Sequence, residues 1–193
     1  MKEYYLAYGS NLNLEEMKFR CPTAKAIGTV MLDNYKLVYK GKTDDFSYLT
    51  IEECEGTYVP LGLYEISHSD IFSLDRYEGY PSLYSKRYVS VKISDKEEQA
   101  LIYVMKPLFD YHLPSDEYVE ICSKGYKDFG FDQEVLKLAL ADTIKNMPKQ
   151  LKKYRWKDKY KNFFDITFPS KMLDYHQVIK WKKKNGGERF YFY

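Results

Sequence analysis

The sequence predicts an α+β fold, a curled or closed sheet with helices packed outside it. Short Val-, Ile-, Tyr- and Thr-rich runs recur through residues 3–106, each bounded by turn residues, as strands do. Helical three-and-four spacing instead marks residues 14–20, 69–78, 115–129 and 132–146. The two kinds of segment do not alternate regularly, which argues against a doubly wound parallel sheet.

Residues 3–8 read as the first strand, broken at Gly9-Ser10-Asn11. A helix from about Leu14 to Arg20 follows, with Asn13 as its cap, Glu16 reaching back and Pro22 closing the segment. Strands are expected at 26–32, 35–40 and 47–52, punctuated by Asp33-Asn34 and Gly41. "TYVPLGLYEI", residues 57–66, is a further strand in which Pro60 and Gly62 suggest an edge or a bend. In the 69–78 helix Ser69 is the expected cap, with Ile71, Leu74 and Tyr77 on roughly one face. Gly79 and Pro81 end that helix. Strands at 84–93 and 99–106 precede two helices joined at Phe129-Gly130-Phe131-Asp132. Tyr118, Ile121 and Cys122, then Val135, Leu136, Ala139 and Leu140, give those helices their core faces. Pro114 and Ser115 begin and cap the first of them.

The 193 residues suffice for one substantial domain with an appendage, and an apolar fraction of 45% is that of a globular chain. The 21 tyrosines are expected to lie half-buried, rings packed and hydroxyls in polar clefts. No apolar run of about 18 residues occurs, and the N-terminal residues lack the pattern of a signal peptide, so neither a membrane nor export is expected. Cys21, Cys54 and Cys122 are odd in number and far apart. His68, His112 and His176 show no ligand spacing. The expectation is a reducing cytoplasm, no disulfide framework and no catalytic metal.

A net charge of +2 conceals an asymmetry. Residues 147–193 hold thirteen Lys and Arg against four Asp and Glu, or +9, which leaves −7 for residues 1–146. The expected organisation is a domain over 1–148 and a basic, aromatic extension over 149–193 that packs on its acidic surface. "KQLKKYRWKDKYK", residues 149–161, also has the basic and aromatic character of a nucleic-acid strip. Charge complementarity within the chain favours packing over nucleic-acid binding.

Two features carry chemistry. The Gly9–Leu12 loop, between a strand and a helix N-terminus, can present backbone N–H groups to an anion, and Gly9 permits close approach. Ser10 and Asn11 can add side-chain hydrogen bonds, or serve only to shape the turn. Glu78 sits in the last turn of the 69–78 helix, where the carbonyl end of the dipole opposes a carboxylate by about 0.3–1 kcal/mol. That field, with burial among Tyr77, Tyr80 and Tyr84, would push its pKa upward. The plainer alternative is a solvated Glu near Arg76 or Arg87.

"YLAYGSNL", "SLDRYEGYPSLYSKRYVSV" and "LPSDEYVEICSKGYKDFGF", in that order over roughly residues 3–140, resemble the γ-glutamylcyclotransferase-like (AIG2-like) family. The resemblance implies a small mixed β-barrel flanked by helices, and an enzyme without metal or cofactor. Such an enzyme cyclises a small-molecule γ-glutamyl substrate to 5-oxoproline and releases an amine or amino acid. It implies that Glu78 is the acid/base and that Tyr8, Gly9, Ser10, Asn11 and Leu12 form the glutamyl-binding loop. Tyr118 falls at the cavity wall. Tyr84 and Arg87 are weaker candidates, able to orient Glu78 or the substrate but opening a strand where Tyr packs and Arg stays solvated. A non-catalytic module of the same fold is the alternative, and the presence of Glu78 argues against it.

Overall fold

The computed structural model describes residues 2–93 and 95–148; the predicted extension, and with it the basic strip at 149–161, lies outside the described residues. Six strands form one mixed sheet: β1 (Glu3–Ala7), β2 (Lys25–Thr43), β3 (Phe46–Ile66), β4 (Tyr84–Ile93), β5 (Lys96–Met105) and β6 (Asp110–Tyr111). Among the described residues four α-helices accompany it: α1 (Leu14–Arg20), α2 (His68–Tyr77), α3 (Asp116–Asp128) and α4 (Glu134–Asn146). The spatial order is β4-β5-β1-β3-β2-β6, and the sheet curls into a half-barrel with β4 and β6 at its two edges. Only β1 and β5 run parallel; the other neighbouring pairs are antiparallel.

The strands are longer than their sequence punctuation predicts. The segments at 26–32 and 35–40 join into β2, and those at 47–52 and 57–66 into β3. Asp33 pairs with Tyr58 and Tyr35 with Glu53, so Asn34 faces residues 54–57 across a bulge. Asn34 (φ 63°) and Gly56 (φ 75°) both adopt the left-handed region, and Gly56 N donates to Asn34 Oδ1 at 3.0 Å. Turn residues facing one another on two strands make a bulge, which bends the hairpin without ending its ladder. Pro60 lies just past the last β1–β3 pair, Ala7 with Gly62, where no β1 carbonyl needs its missing N–H.

Two helix starts also differ from expectation. Ser67 caps α2, not Ser69: its hydroxyl accepts from Asp70 N at 3.3 Å while Asp70 Oδ2 accepts from Ser67 N at 2.8 Å, a reciprocal capping box. Asn13 does cap α1, accepting from Glu15 N and Glu16 N, but the Glu16 carboxylate turns to Arg20 Nη2 at 2.9 Å instead of reaching back. An i,i+4 partner on the same face competes successfully with the backbone N–H of the cap.

The tyrosines are deeper than the sequence suggests. Tyr39, Tyr64, Tyr103 and Tyr126 are fully buried. Two of them pin the loop that follows β1, because Tyr64 Oη donates to Asn11 O at 2.9 Å and Tyr126 Oη donates to Tyr8 O at 3.4 Å. The loop is clamped from outside by α3. A Cβ on Gly125 would stand 2.5 Å from Asn13 N and 2.6 Å from the Leu12 carbonyl carbon. Glycine is therefore required at 125 for the helix and loop backbones to touch. Leu12 is fully buried beneath that contact. No helix among the described residues is long and apolar enough to cross a membrane.

Overpacking at this contact makes Gly125→Ala costly. A loss of about 2–3 kcal/mol is expected in urea denaturation, whereas Gly130→Ala, with open space around its Cβ position, loses less than about 1.5 kcal/mol from its positive φ.

Candidate active site

Six segments converge on one hollow of about 280 Å³, counting its open mouth. Tyr8, Gly9, Ser10 and Asn11 come from the loop after β1, and Tyr5 from the strand itself. Leu49 comes from β3, Tyr84 and Tyr103 from β4 and β5, Tyr118 from α3, and Glu78 from the end of α2.

The local sequence delivers Glu78 to that place. Ile71 and Leu74 bury one face of α2, and Glu78 is its C-cap, its N–H donating to Leu74 O at 2.8 Å. Gly79 then takes φ +62°, which turns the chain away and leaves the Glu78 side chain over the hollow. The helix is also tied to the sheet at Asp75, whose carboxylate accepts from Tyr103 Oη at 2.5 Å and Lys86 Nζ at 2.7 Å.

Asn11 is the hub of the polar contacts. Its Nδ2 donates to Glu78 Oε1 and to Tyr5 Oη, each at 2.8 Å, and its Oδ1 accepts from Arg20 Nη1. Ser10 Oγ and Tyr77 Oη are 3.0 Å apart. The side chains of Ser10 and Asn11 are thus engaged with the protein. The loop's backbone is less so. Leu12 N donates to Gly9 O at 3.0 Å, while the N–H groups of Gly9, Ser10 and Asn11 meet no acceptor among the described residues.

Burial pushes the Glu78 carboxyl up to about 7, against the opposing pull of the Arg20 charge and the Asn11 hydrogen bond. The cation that acts on it is Arg20. Arg76 and Arg87 are both exposed, and Tyr80, with Lys86 over its ring, is not among the residues that line the hollow. The rings that desolvate it include Tyr5, Tyr8, Tyr84 and Tyr103, whose own hydroxyls burial and the Glu78 charge hold above their ordinary range. They stay neutral. Tyr8, Tyr84 and Tyr103 spend their protons on Tyr103 O, Leu49 O and Asp75, whereas Tyr5 and Tyr118 accept, from Asn11 Nδ2 and Leu49 N. Cys122, beneath Tyr118, is a thiol held protonated to about 12 by burial, which removes it as a nucleophile.

Of the residues singled out in the sequence, Glu78, Tyr8, Gly9, Ser10, Asn11, Tyr84 and Tyr118 share the hollow. Leu12 does not; it packs under Gly62 and Gly125. Arg87 is exposed on β4, away from the lining. Leu49 and Tyr103 line the hollow without a sequence signal, since each reads as an ordinary strand residue, and Tyr5 opens the stretch "YLAYGSNL" but reads there as strand. Arg20 has one weak signal, a basic residue in the last turn of a helix that begins beside the loop.

The sequence model of the family described as gamma-glutamyl cyclotransferase, AIG2-like, matches residues 5–127. The chain belongs to that family. Gamma-glutamylcyclotransferases of Bos taurus and Mus musculus are 29% and 30% identical to it over 140 and 139 residues. These alignments span 69% and 67% of this chain and 74% and 73% of the relatives. A crystal structure of an uncharacterized Homo sapiens protein superposes with a TM-score of 0.62 at 29% identity, over 70% of this chain and 85% of that one. A solved gamma-glutamyl cyclotransferase superposes at 0.63 and 24% identity over 96% and 100% of the two chains, which supports the shared fold. Within this AIG2-like chain, all three motif stretches contribute to the walls of the hollow.

The raised carboxyl has a consequence for stability. Between pH 4.5 and about 7 the folded state holds a proton on Glu78 that the unfolded chain has released, so this group makes stability fall as pH rises and then level. Glu78→Gln removes the dependence. The variant is expected to gain on the wild type by up to about 2–3 kcal/mol between pH 5 and pH 8, read from paired urea titrations.

Proposed function

We propose that this chain is a γ-glutamylcyclotransferase-type enzyme that folds a γ-glutamyl compound onto itself, with Glu78 carrying the proton. The observation behind the reading is the Glu78 carboxylate, half-buried in a hollow of neutral tyrosines and tuned to about 7, facing a loop with unspent N–H donors.

A γ-glutamyl group carries an α-ammonium and an α-carboxylate at one end. The ionised Glu78 pairs with the ammonium, and the backbone N–H groups at Gly9, Ser10 and Asn11 suit the α-carboxylate or the oxyanion that develops later. Glu78 accepts a proton from the ammonium. The freed amine attacks the γ-carbonyl carbon, a C–N bond closes the five-membered ring, and the original γ-amide C–N bond breaks. Glu78 delivers its proton to the departing nitrogen, then takes the surplus proton of the ring nitrogen and passes it to the released amine, so 5-oxoproline and an ammonium leave and the carboxylate is restored. The nucleophile belongs to the substrate. Holding it in the folded conformer can supply much of the roughly 7–11 kcal/mol available to well-oriented intramolecular reactions. A group near 7 both takes and gives a proton at neutral pH, which an ordinary surface glutamate does poorly. Tyr84 and Tyr118 shape the wall on which the leaving group rests, and Tyr5, which accepts from Asn11, still has its own proton to offer an oxygen.

Purified protein incubated with γ-glutamyl amino acids, γ-glutamyl amines and γ-glutamyl-lysine isopeptides is expected to release 5-oxoproline from at least one class. Glu78→Gln should cut the rate by about 10²–10⁴-fold while retaining a cooperative unfolding transition. A wild type inert across the panel refutes the reading. The logarithm of kcat/KM is expected to climb with unit slope below pH 7 and to flatten above it, because the ionised carboxylate is the form that receives the ammonium.

A further inference from the structure

An asparagine amide has two ends of nearly the same shape and opposite hydrogen-bonding character, and its surroundings decide which end faces which neighbour. Beside Asn11 stands Arg20, which can only donate. Its side chain is 10% exposed and held on three sides. The guanidinium lies 3.4 Å over the Tyr77 ring, Nη2 bonds Glu16 Oε2 at 2.9 Å, and Nη1 bonds Asn11 Oδ1. Tyr77 is itself tied to Ser10. The clamp therefore joins α1, the loop after β1 and the end of α2.

We propose that Arg20 is a positioning residue for the reaction: by occupying Asn11 Oδ1 it turns both amide N–H bonds toward Glu78 and Tyr5, and so holds the carboxylate in the ionised form that receives the substrate ammonium. The inference rests on the cyclotransferase reading above. With Arg20 in place, an Asn11 oxygen cannot face Glu78. Without it, the amide is free to rotate and accept from a protonated Glu78, which would favour the form unable to pair with an ammonium. Arg20 is also the cation whose charge acts on Glu78. The other groups facing the carboxylate are neutral phenols: Tyr5 from β1, Tyr8 from the loop, Tyr77 on its own helix, Tyr84 from β4 and Tyr103 from β5. Asp75 and Lys86 behind Tyr103 are paired with each other. Arg20 is not among the described residues that line the hollow and meets that lining at Asn11 Oδ1, so its effect is on protonation and not on substrate contact.

Two readouts on the full chain test this. In protein labelled with ¹³C at glutamate carboxyls, the Glu78 resonance is identified by its loss in Glu78→Gln and followed from pH 4 to pH 10. In Arg20→Met its midpoint is expected to rise by about one pH unit above the wild-type value, the size of shift that losing a nearby opposite charge gives. The acid limb of kcat/KM should move with it, giving about a tenfold loss at pH 6 that shrinks below about threefold at pH 8.5. Arg20→Lys, which keeps the charge, should restore most of the midpoint. Arg20→Gln, which keeps an N–H donor without the charge, replaces the Met variant if that one does not fold. An unmoved Glu78 midpoint, or a loss equal at every pH, overturns the proposal and makes Arg20 a packing residue only. A wild type that turns over no γ-glutamyl compound refutes the reading it rests on, and the carboxyl titration still decides what Arg20 does to Glu78.

Discussion

β1 has hydrogen-bonded neighbours on both sides, antiparallel β3 and parallel β5, and the rest of the architecture follows from that placement. A five-residue strand bonded on both edges has little freedom to shift, so the chain must leave the sheet at Ala7 in one direction. The loop that follows is then trapped between the end of the sheet and α3. Backbone touches backbone at Gly125, while Tyr64 and Tyr126 hold two of the loop's carbonyls from below. A loop so held can keep three N–H groups without an acceptor among the described residues, where a mobile connection would turn them to its own carbonyls. Rigidity here is a by-product of topology.

The hollow shows how opposing forces on one carboxylate are balanced. Tyrosine rings desolvate Glu78 and favour the neutral acid; the Arg20 charge and the Asn11 N–H favour the anion. Phenol is well suited to such a wall. It offers apolar area to lower the dielectric and a hydroxyl that can be satisfied internally, so no unpaired polar atom has to compete for the substrate. The same tyrosines resist ionisation because they are buried, and the carboxylate beside them adds to the effect. Each group keeps its neighbours in the protonation state that the proposed chemistry needs.

Much of the fold was legible because its signals are local. The caps at Asn13 and Ser115 and the core face of α4 are matters of spacing along the chain and are found where the spacing puts them, whereas α3 buries Val119, Cys122 and Tyr126 and leaves Tyr118 and Ile121 half-buried at the margin of that face. The misreadings have one origin. Asp33-Asn34 and Cys54–Gly56 look like strand ends one at a time, and only their meeting across the hairpin makes them a bulge. Glu16 and Ser69 were plausible cap partners until Arg20 and Ser67, which pattern rules weigh no differently, took the contacts first.

For the candidate site, the sequence alone determined the parts that depend on chain-local chemistry: a glycine-led loop at a helix start, a glutamate one residue before a glycine stop, and the three ordered stretches that resemble the family. Tertiary structure alone decided which of these meet and what surrounds them. It sent Leu12 into the core, left Arg87 in solvent, and brought in Tyr5, Tyr103 and Arg20. It also put burial ahead of the helix-end field as the cause that raises Glu78, since a helix end contributes a fraction of a charge while removal from water acts on the whole of it. Desolvation is a property of a volume filled by residues distant in the chain, and no window of sequence contains that volume.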